Sequence, residues 1–178
     1  MPDGLPTLET ERLCLRDLRV ADFPNVYSLD SDPKVMEFIT ASGRPLSYEE
    51  SQAAFEKLIV LNGKSSGLGV WVGELKGTDE FIGLFGLKPL NTNEIEVGYR
   101  IKTQAWNKGF ATEGAKRLLA YGFSELNLER IVGVVDNPHS SSIKVLKKIG
   151  MVFEKDLEIL EPRDNKKIIV ECYVAKRS

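Results

Sequence analysis

The sequence predicts an α+β fold: a central, mostly antiparallel sheet of six to seven strands with one parallel pair, flanked by about four helices. Three observations carry this. The β-rich runs 68–75, 81–87 and 95–101 follow one another across short turn-rich breaks, as in an antiparallel meander. A stretch of helical period then separates the third run from the apolar run 131–135, and a strand–helix–strand crossover makes that pair parallel. Two last runs, 152–160 and 167–175, enclose the turn-rich Pro162-Arg163-Asp164-Asn165 and read as a closing hairpin. This order is not that of a doubly wound sheet, which argues against a Rossmann fold.

The elements are justified in turn. Residues 12–16 alternate Arg12, Leu13, Cys14, Leu15 and Arg16, so a half-buried first strand is expected there. A short helix follows from about Asp22, with Pro24 tolerated in its opening turn and Phe23, Val26, Tyr27 and Leu29 available to pack. A longer helix starts at Ser47, because Ser47 and Glu50 have capping-box spacing and Ala54, Leu58 and Leu61 fall on one face before Asn62-Gly63. After the meander, Ala111, Ala115, Leu118, Leu119, Gly122 and Phe123 recur at helical spacing and should pack on the sheet. The run 131–135 is apolar throughout, as a strand covered on both faces requires. Ser142 can cap a last helix carrying Ile143, Val145, Leu146 and Ile149, which Gly150 ends.

Composition narrows the function. The 178 residues contain no repeat or linker, so a single domain over 1–178 is expected, with 42% apolar residues to build its core. Lys and Arg (24) balance Asp and Glu (26) at a net charge of −2, which gives no electrostatic footprint for nucleic acid. No apolar stretch approaches the roughly 20 residues of a membrane span, and the first residues lack a secretion signal, so a cytoplasmic location is expected. Cys14 and Cys172 are isolated and read as reduced thiols. A single histidine, His139, leaves no metal-ligand cluster, and no Gly-x-Ser-x-Gly elbow is present for a serine hydrolase.

The chemistry-bearing segment is Trp106-Asn107-Lys108-Gly109-Phe110-Ala111-Thr112-Glu113-Gly114, which joins a strand to a helix. Gly109 admits backbone conformations closed to other residues, Ala111 is small, Lys108 adds a cation, and the helix start offers unpaired N–H groups. This is an anion site if it is more than a turn. It has neither G-x-G-x-x-G nor the Walker spacing, so dinucleotides and nucleoside triphosphates lose support.

Three ordered motifs resemble the GNAT acetyltransferases, specifically the branch that includes RimJ/RimL-type protein N-terminal acetyltransferases. Leu8-Glu9-Thr10-Glu11-Arg12-Leu13-Cys14-Leu15-Arg16 resembles that branch's L-x-T-x-R-L-x-L-R. Glu94-Ile95-Glu96-Val97-Gly98-Tyr99 resembles its fourth strand, and Trp106 to Gly114 its W-G-K-G-Y-A-T-E-A. Ser142 to Met151 resembles S-I-R-V-L-E-K-L-G-F. The chain departs from the family where an Asn usually precedes that Ser by three residues: His139 stands there, with Asn137 two residues earlier. The family's frequent tyrosine acid, four residues before the terminal Gly, is Leu146 here.

The resemblance implies a GNAT-type fold whose parallel strands splay to admit acetyl-CoA. Tyr99, Arg100 and Ile101 would pair with the pantetheine arm, and Trp106, Asn107, Lys108, Gly109, Phe110, Ala111 and Thr112 would hold the pyrophosphate. Asn137, His139 and Ser142 would complete the cofactor contacts. It implies transfer of acetyl to a primary amine by direct attack in a ternary complex, the acceptor being a protein N-terminal α-amine or a small amine. Glu96 and Glu161 are the candidate bases, since an amine must lose a proton to attack. Ser142 is the candidate proton donor, although a helix cap would explain it equally. A non-catalytic acyl-CoA-binding module is the alternative from another class. The expected partners are the cofactor and the amine substrate, with no metal, nucleic acid or membrane, and a homodimer is left open.

Overall fold

The computed structural model describes residues 4–37, 39, 43–64, 66–136, 140–161 and 165–178, without the Ser140 side chain. Among them, one sheet of eight strands runs in the order β1-β2-β3-β4-β5-β6-β8-β7. The strands are β1 (Leu8–Glu9), β2 (Leu13–Asp17), β3 (Gly69–Leu75), β4 (Glu80–Pro89), β5 (Ile95–Ile101), β6 (Arg130–Val135), β7 (Val152–Leu160) and β8 (Lys167–Lys176). All neighbours pair antiparallel except β5 and β6. The eighth strand, beyond the six or seven expected, is β1, whose two residues are too few to show a period.

The helices are α1 (Phe23–Asp30), α2 (Pro33–Met36), α3 (Tyr48–Asn62), α4 (Phe110–Ser124) and α5 (Ser140–Lys148). The Ser47–Glu50 capping box opens α3 as expected. The helix ends at Asn62-Gly63 as expected, with Gly63 at φ −70°, and Asn62 is buried. The Asn62 amide donates to Asp17 Oδ1 (2.7 Å) and the Val70 carbonyl (2.8 Å) and accepts from the Val70 N–H (2.9 Å). The additional helix α2 is a single turn started by Asp32, whose carboxylate accepts from the Lys34 N–H.

Alternation along the strands assigns each face a core. Val70, Val72 and Leu84 point to one side and pack with Val26, Leu29, Met36 and Phe55 of α1–α3. Trp71, Phe85, Val97 and Ile101 point to the other and pack with Phe110, Ala115 and Leu118 of α4 and Leu146 of α5. Trp71 and Phe85 have no exposed surface. Arg16 ties β2 to the approach to α1 by holding Asp22 (2.7 Å) and Glu74 (2.5 Å). Cys14 and Cys172 are free thiols. No helix among the described residues is long and apolar enough to cross a membrane.

Candidate active site

The site begins with a strand pair that parts. β5 is matched to β4 along its whole length, from Pro89↔Ile95 to Gly83↔Ile101. β6 is matched to β8 along its length, from Arg130↔Lys176 to Val135↔Glu171. Between β5 and β6 one register pair exists, Glu96↔Val132, near the start of both strands. The strands separate beyond it, so the β5 edge from Val97 to Ile101 faces a wedge instead of a neighbouring strand. Both following helices, α4 and α5, start at the wide end of that wedge. In open α/β sheets ligands bind in the crevice at the carboxyl ends of parallel strands, and this single parallel pair offers a similar crevice. Tyr99, Arg100 and Ile101 therefore lie on the wedge edge, as the cofactor reading requires.

At the wide end, the segment 106–112 forms the turn into α4. The Trp106 indole N–H donates to the Ile101 carbonyl (2.7 Å) and fixes the turn to the end of β5. Asn107 (φ 60°) and Gly109 (φ 83°) are both left-handed, the conformation that asparagine tolerates and glycine takes without strain. Gly109 is the N-cap of α4 and no side chain caps the helix. The first-turn N–H groups of Phe110, Ala111 and Thr112 therefore have no intrahelical acceptor and lie at the positive end of the dipole. Lys108 is exposed beside them. An uncapped helix start flanked by left-handed residues fits a pyrophosphate.

On the α1–α3 face, β5 presents Glu96, Gly98 and Arg100. Glu96 is 15% exposed and its carboxylate stands 3.9 Å from Lys88 Nζ across the β4–β5 pair. Burial pushes its carboxyl above the usual range, and Lys88 opposes this only partly. Gly98 pairs with Gly86, and no described atom lies within 4 Å of where a Gly98 Cβ would sit. Among the described residues this leaves an open floor between Glu96 and Arg100. Arg100 is pinned by an ion pair to buried Asp30 of α1, which also accepts from Ser51 Oγ (2.7 Å) of α3.

On the opposite face stands Tyr99, whose side chain was not among the expected features. Its hydroxyl oxygen is buried without a hydrogen bond of normal geometry, the nearby Ser142 hydroxyl being its neighbour. Burial raises its pKa to about 12, so it is a neutral proton donor at physiological pH. Strand alternation from Val97 was the sequence signal that could have placed it beside α5. Ser142 itself lies inside the first turn of α5 rather than capping it, because the helix starts two residues earlier, at Ser140. That removes its explanation as an N-cap. Leu146, in the position of the family's tyrosine acid, is core, packed against Gly133 of β6.

Glu161 follows β7 and is 5% exposed. Its N–H donates to the Lys166 carbonyl (2.8 Å) and its carbonyl accepts from the Asn165 N–H (3.0 Å). Asn91 of the β4–β5 turn donates to the Leu160 carbonyl (3.3 Å), so the end of β7 reaches the end of β5 that carries Glu96. Asn137 and His139 lie outside the described residues. Among the described residues, no group of three His, Cys, Asp or Glu side chains is arranged to hold a metal.

Residues 12–152 match the acetyltransferase (GNAT) domain family. The chain is 33% identical over 155 residues to the FsC-acetyl coenzyme A-N(2)-transacetylase of Aspergillus fumigatus, covering 82% of this chain and 65% of that protein. It superposes on an acetyltransferase from Agrobacterium tumefaciens str. C58 with a TM-score of 0.79 at 28% identity, covering 99% and 98% of the two chains. The fold is also that of RimL, the ribosomal L7/L12 α-N-protein acetyltransferase solved with coenzyme A (TM-score 0.74, 15% identity, 97% and 98% covered).

Proposed function

The chain belongs to the GNAT acetyltransferase family and is an acetyl-CoA-dependent N-acetyltransferase, and we propose that it acetylates a primary amine by direct attack, with Glu96 as the base. The observation that carries this reading is the open floor at Gly98, among the described residues, between a half-buried carboxylate and a pinned guanidinium. An amine resting there lies beside Glu96, whose pKa is raised by burial, which makes it a stronger base toward an ammonium proton than an ordinary carboxylate. Residues 107–112 would hold the pyrophosphate, and the free edge of β5 at Tyr99, Arg100 and Ile101 the pantetheine arm. Acetyl-CoA supplies the acetyl group activated as a thioester. Ser142 Oγ, with the neutral Tyr99 hydroxyl beside it on the far side of β5, would give a proton to the departing CoA thiolate. Glu161, buried after β7, is the second candidate base.

Two acceptor classes follow. RimL, which shares the fold, acts on a protein α-amine, whereas the Aspergillus relative is named for an N(2) transfer on FsC. A thiol-release assay with acetyl-CoA separates them, using short peptides with free N-termini on one arm and diamines, amino acids and aminoglycosides on the other. One arm should stimulate release of free CoA. If none does while acetyl-CoA still raises the melting temperature, the chain is a binding module and Glu96 is not a base.

A further inference from the structure

We propose that Thr10 and Arg12, acting through Glu113, are positioning residues that hold the cofactor turn in its binding shape. This rests on the reading that residues 107–112 take the pyrophosphate. The Arg12 N–H donates to Glu113 Oε1 (2.8 Å), Arg12 Nε to Oε2 (2.7 Å), and Arg12 Nη2 pairs with Oε2 (2.7 Å). Thr10 Oγ1 adds a bond to Oε1 (2.5 Å). Arg12 Nη1 donates to the Lys108 carbonyl (2.9 Å), and the guanidinium lies 4.4 Å from the centre of the Phe110 ring. It also stands 3.3 Å from where a Gly109 Cβ would sit. One side chain thus touches Lys108, Phe110 and Glu113 and closes the space beside Gly109.

Two physical consequences follow. The Arg12 bond occupies the Lys108 carbonyl and anchors it away from an anion held by the neighbouring N–H groups. Glu113 is a carboxylate in the first turn of α4, where its charge would repel a pyrophosphate. Burial works against its ionisation, yet the bonds from Thr10 and Arg12 hold its carboxyl below the usual range, so it is an anion already matched by a cation. The Arg12 side chain is 42% exposed, and an ion pair at that exposure adds little to stability. Its value lies in fixing a turn that contains two left-handed residues. Arg12 and Thr10 belong to the first sequence motif and Glu113 to the third, so the two motifs meet in one cluster.

Lysine keeps the charge at position 12 and cannot form the fork to Glu113 and the bond to Lys108 together. Arg12→Lys and Glu113→Gln should each weaken CoA binding about tenfold by calorimetry, a shift readily resolved. They should also raise KM for acetyl-CoA far more than KM for S-acetylpantetheine, which has the thioester arm and no pyrophosphate. Thr10→Val, which removes one hydroxyl, should act in the same direction and serves if Arg12→Lys does not fold. CoA affinity within twofold of wild type in Arg12→Lys and Thr10→Val overturns the proposal, as does an equal loss with both donors. Gly109→Glu tests the underlying site separately. If it leaves CoA binding intact, the pyrophosphate reading itself fails, whatever the Arg12 variants do.

Discussion

Replacing Gly114 with alanine sets two physical effects against each other. Gly114 is in the first half of α4, where intrinsic propensity favours alanine by roughly 1 kcal/mol. The site opposes it. An added Cβ would stand 2.1 Å from Phe85 Cε1, 2.5 Å from Cδ1 and 2.7 Å from Cζ, against a favourable carbon–carbon separation of about 3.5–4.0 Å. The ring cannot retreat, because its other edge lies 2.4 Å from where a Cβ on Gly73 would sit, and Phe85 has no exposed surface. Phe85 is wedged between β3 and α4, so the helix must lift or the ring must leave its rotamer. Overpacking costs about 1–3 kcal/mol, and contacts of 2.1–2.7 Å to three ring atoms put this site at the upper end, about 1–2 kcal/mol beyond the propensity gain. Gly114→Ala should therefore lower the melting temperature by several degrees, at about 2–4 °C per kcal/mol for a chain of this size. Phe85→Leu should restore part of the loss in the double variant, giving a coupling above about 0.5 kcal/mol. Calorimetry and urea titration of the four proteins measure this. A Gly114→Ala protein as stable as wild type, or more so, would refute the reasoning, since propensity alone predicts that outcome.

Two further predictions concern the proposed chemistry. Glu96→Gln should lower turnover by about 10²–10⁴-fold while CoA affinity holds, and should abolish the fall in wild-type rate as pH drops through the raised Glu96 pKa. A group with a raised carboxyl pKa binds its proton more tightly in the folded state, so stability declines as pH rises through that window, and the variant should be no less stable at neutral pH. Unaltered rates across pH would remove Glu96 as base. Tyr99→Phe deletes a buried hydroxyl that lacks a hydrogen bond of normal geometry, a situation costing about 1–3 kcal/mol, so the ligand-free melting temperature should hold or rise while turnover falls. A lower melting temperature with full activity would show the hydroxyl to be structural.

Much of the architecture was legible because local rules agree with the tertiary result. The Ser47–Glu50 box, the strand 95–101 and the Gly150 end of α5, at φ 90°, each follow from residues a few positions apart. What escaped was either too short or too distant. β1 has two residues and α2 four, below the length at which a period can be seen. Glu113 looked like a helix-start carboxylate, and its partners Thr10 and Arg12 are about a hundred residues away. Gly114 departs from the alanine of the W-G-K-G-Y-A-T-E-A pattern, and only the ring of Phe85 from another strand explains it. Tyr99 was placed at the cofactor through its backbone, whereas the side chain's importance depends on how α5 covers β5.

The alternation of β5 accounts for why the cofactor was easier to read than the acceptor. Val97, Tyr99 and Ile101 face α4 and α5, and nearly all the recognisable motif residues gather on or beside that side: Trp106, Gly109 and the Arg12–Glu113 cluster. A pyrophosphate requires converging N–H groups and small residues at fixed spacing, which leaves a pattern along the chain. Glu96, Gly98 and Arg100 face the other way, where the surroundings come from α1, α3 and, at the Glu96 end, the tip of β7. Those contacts join residues far apart in sequence, and a pocket for an amine needs a carboxylate and free space rather than a motif. On the proposed reading, an acceptor meets Glu96, the Gly98 floor and Arg100, and buried Asp30 and Ser51 act only by holding Arg100 in place.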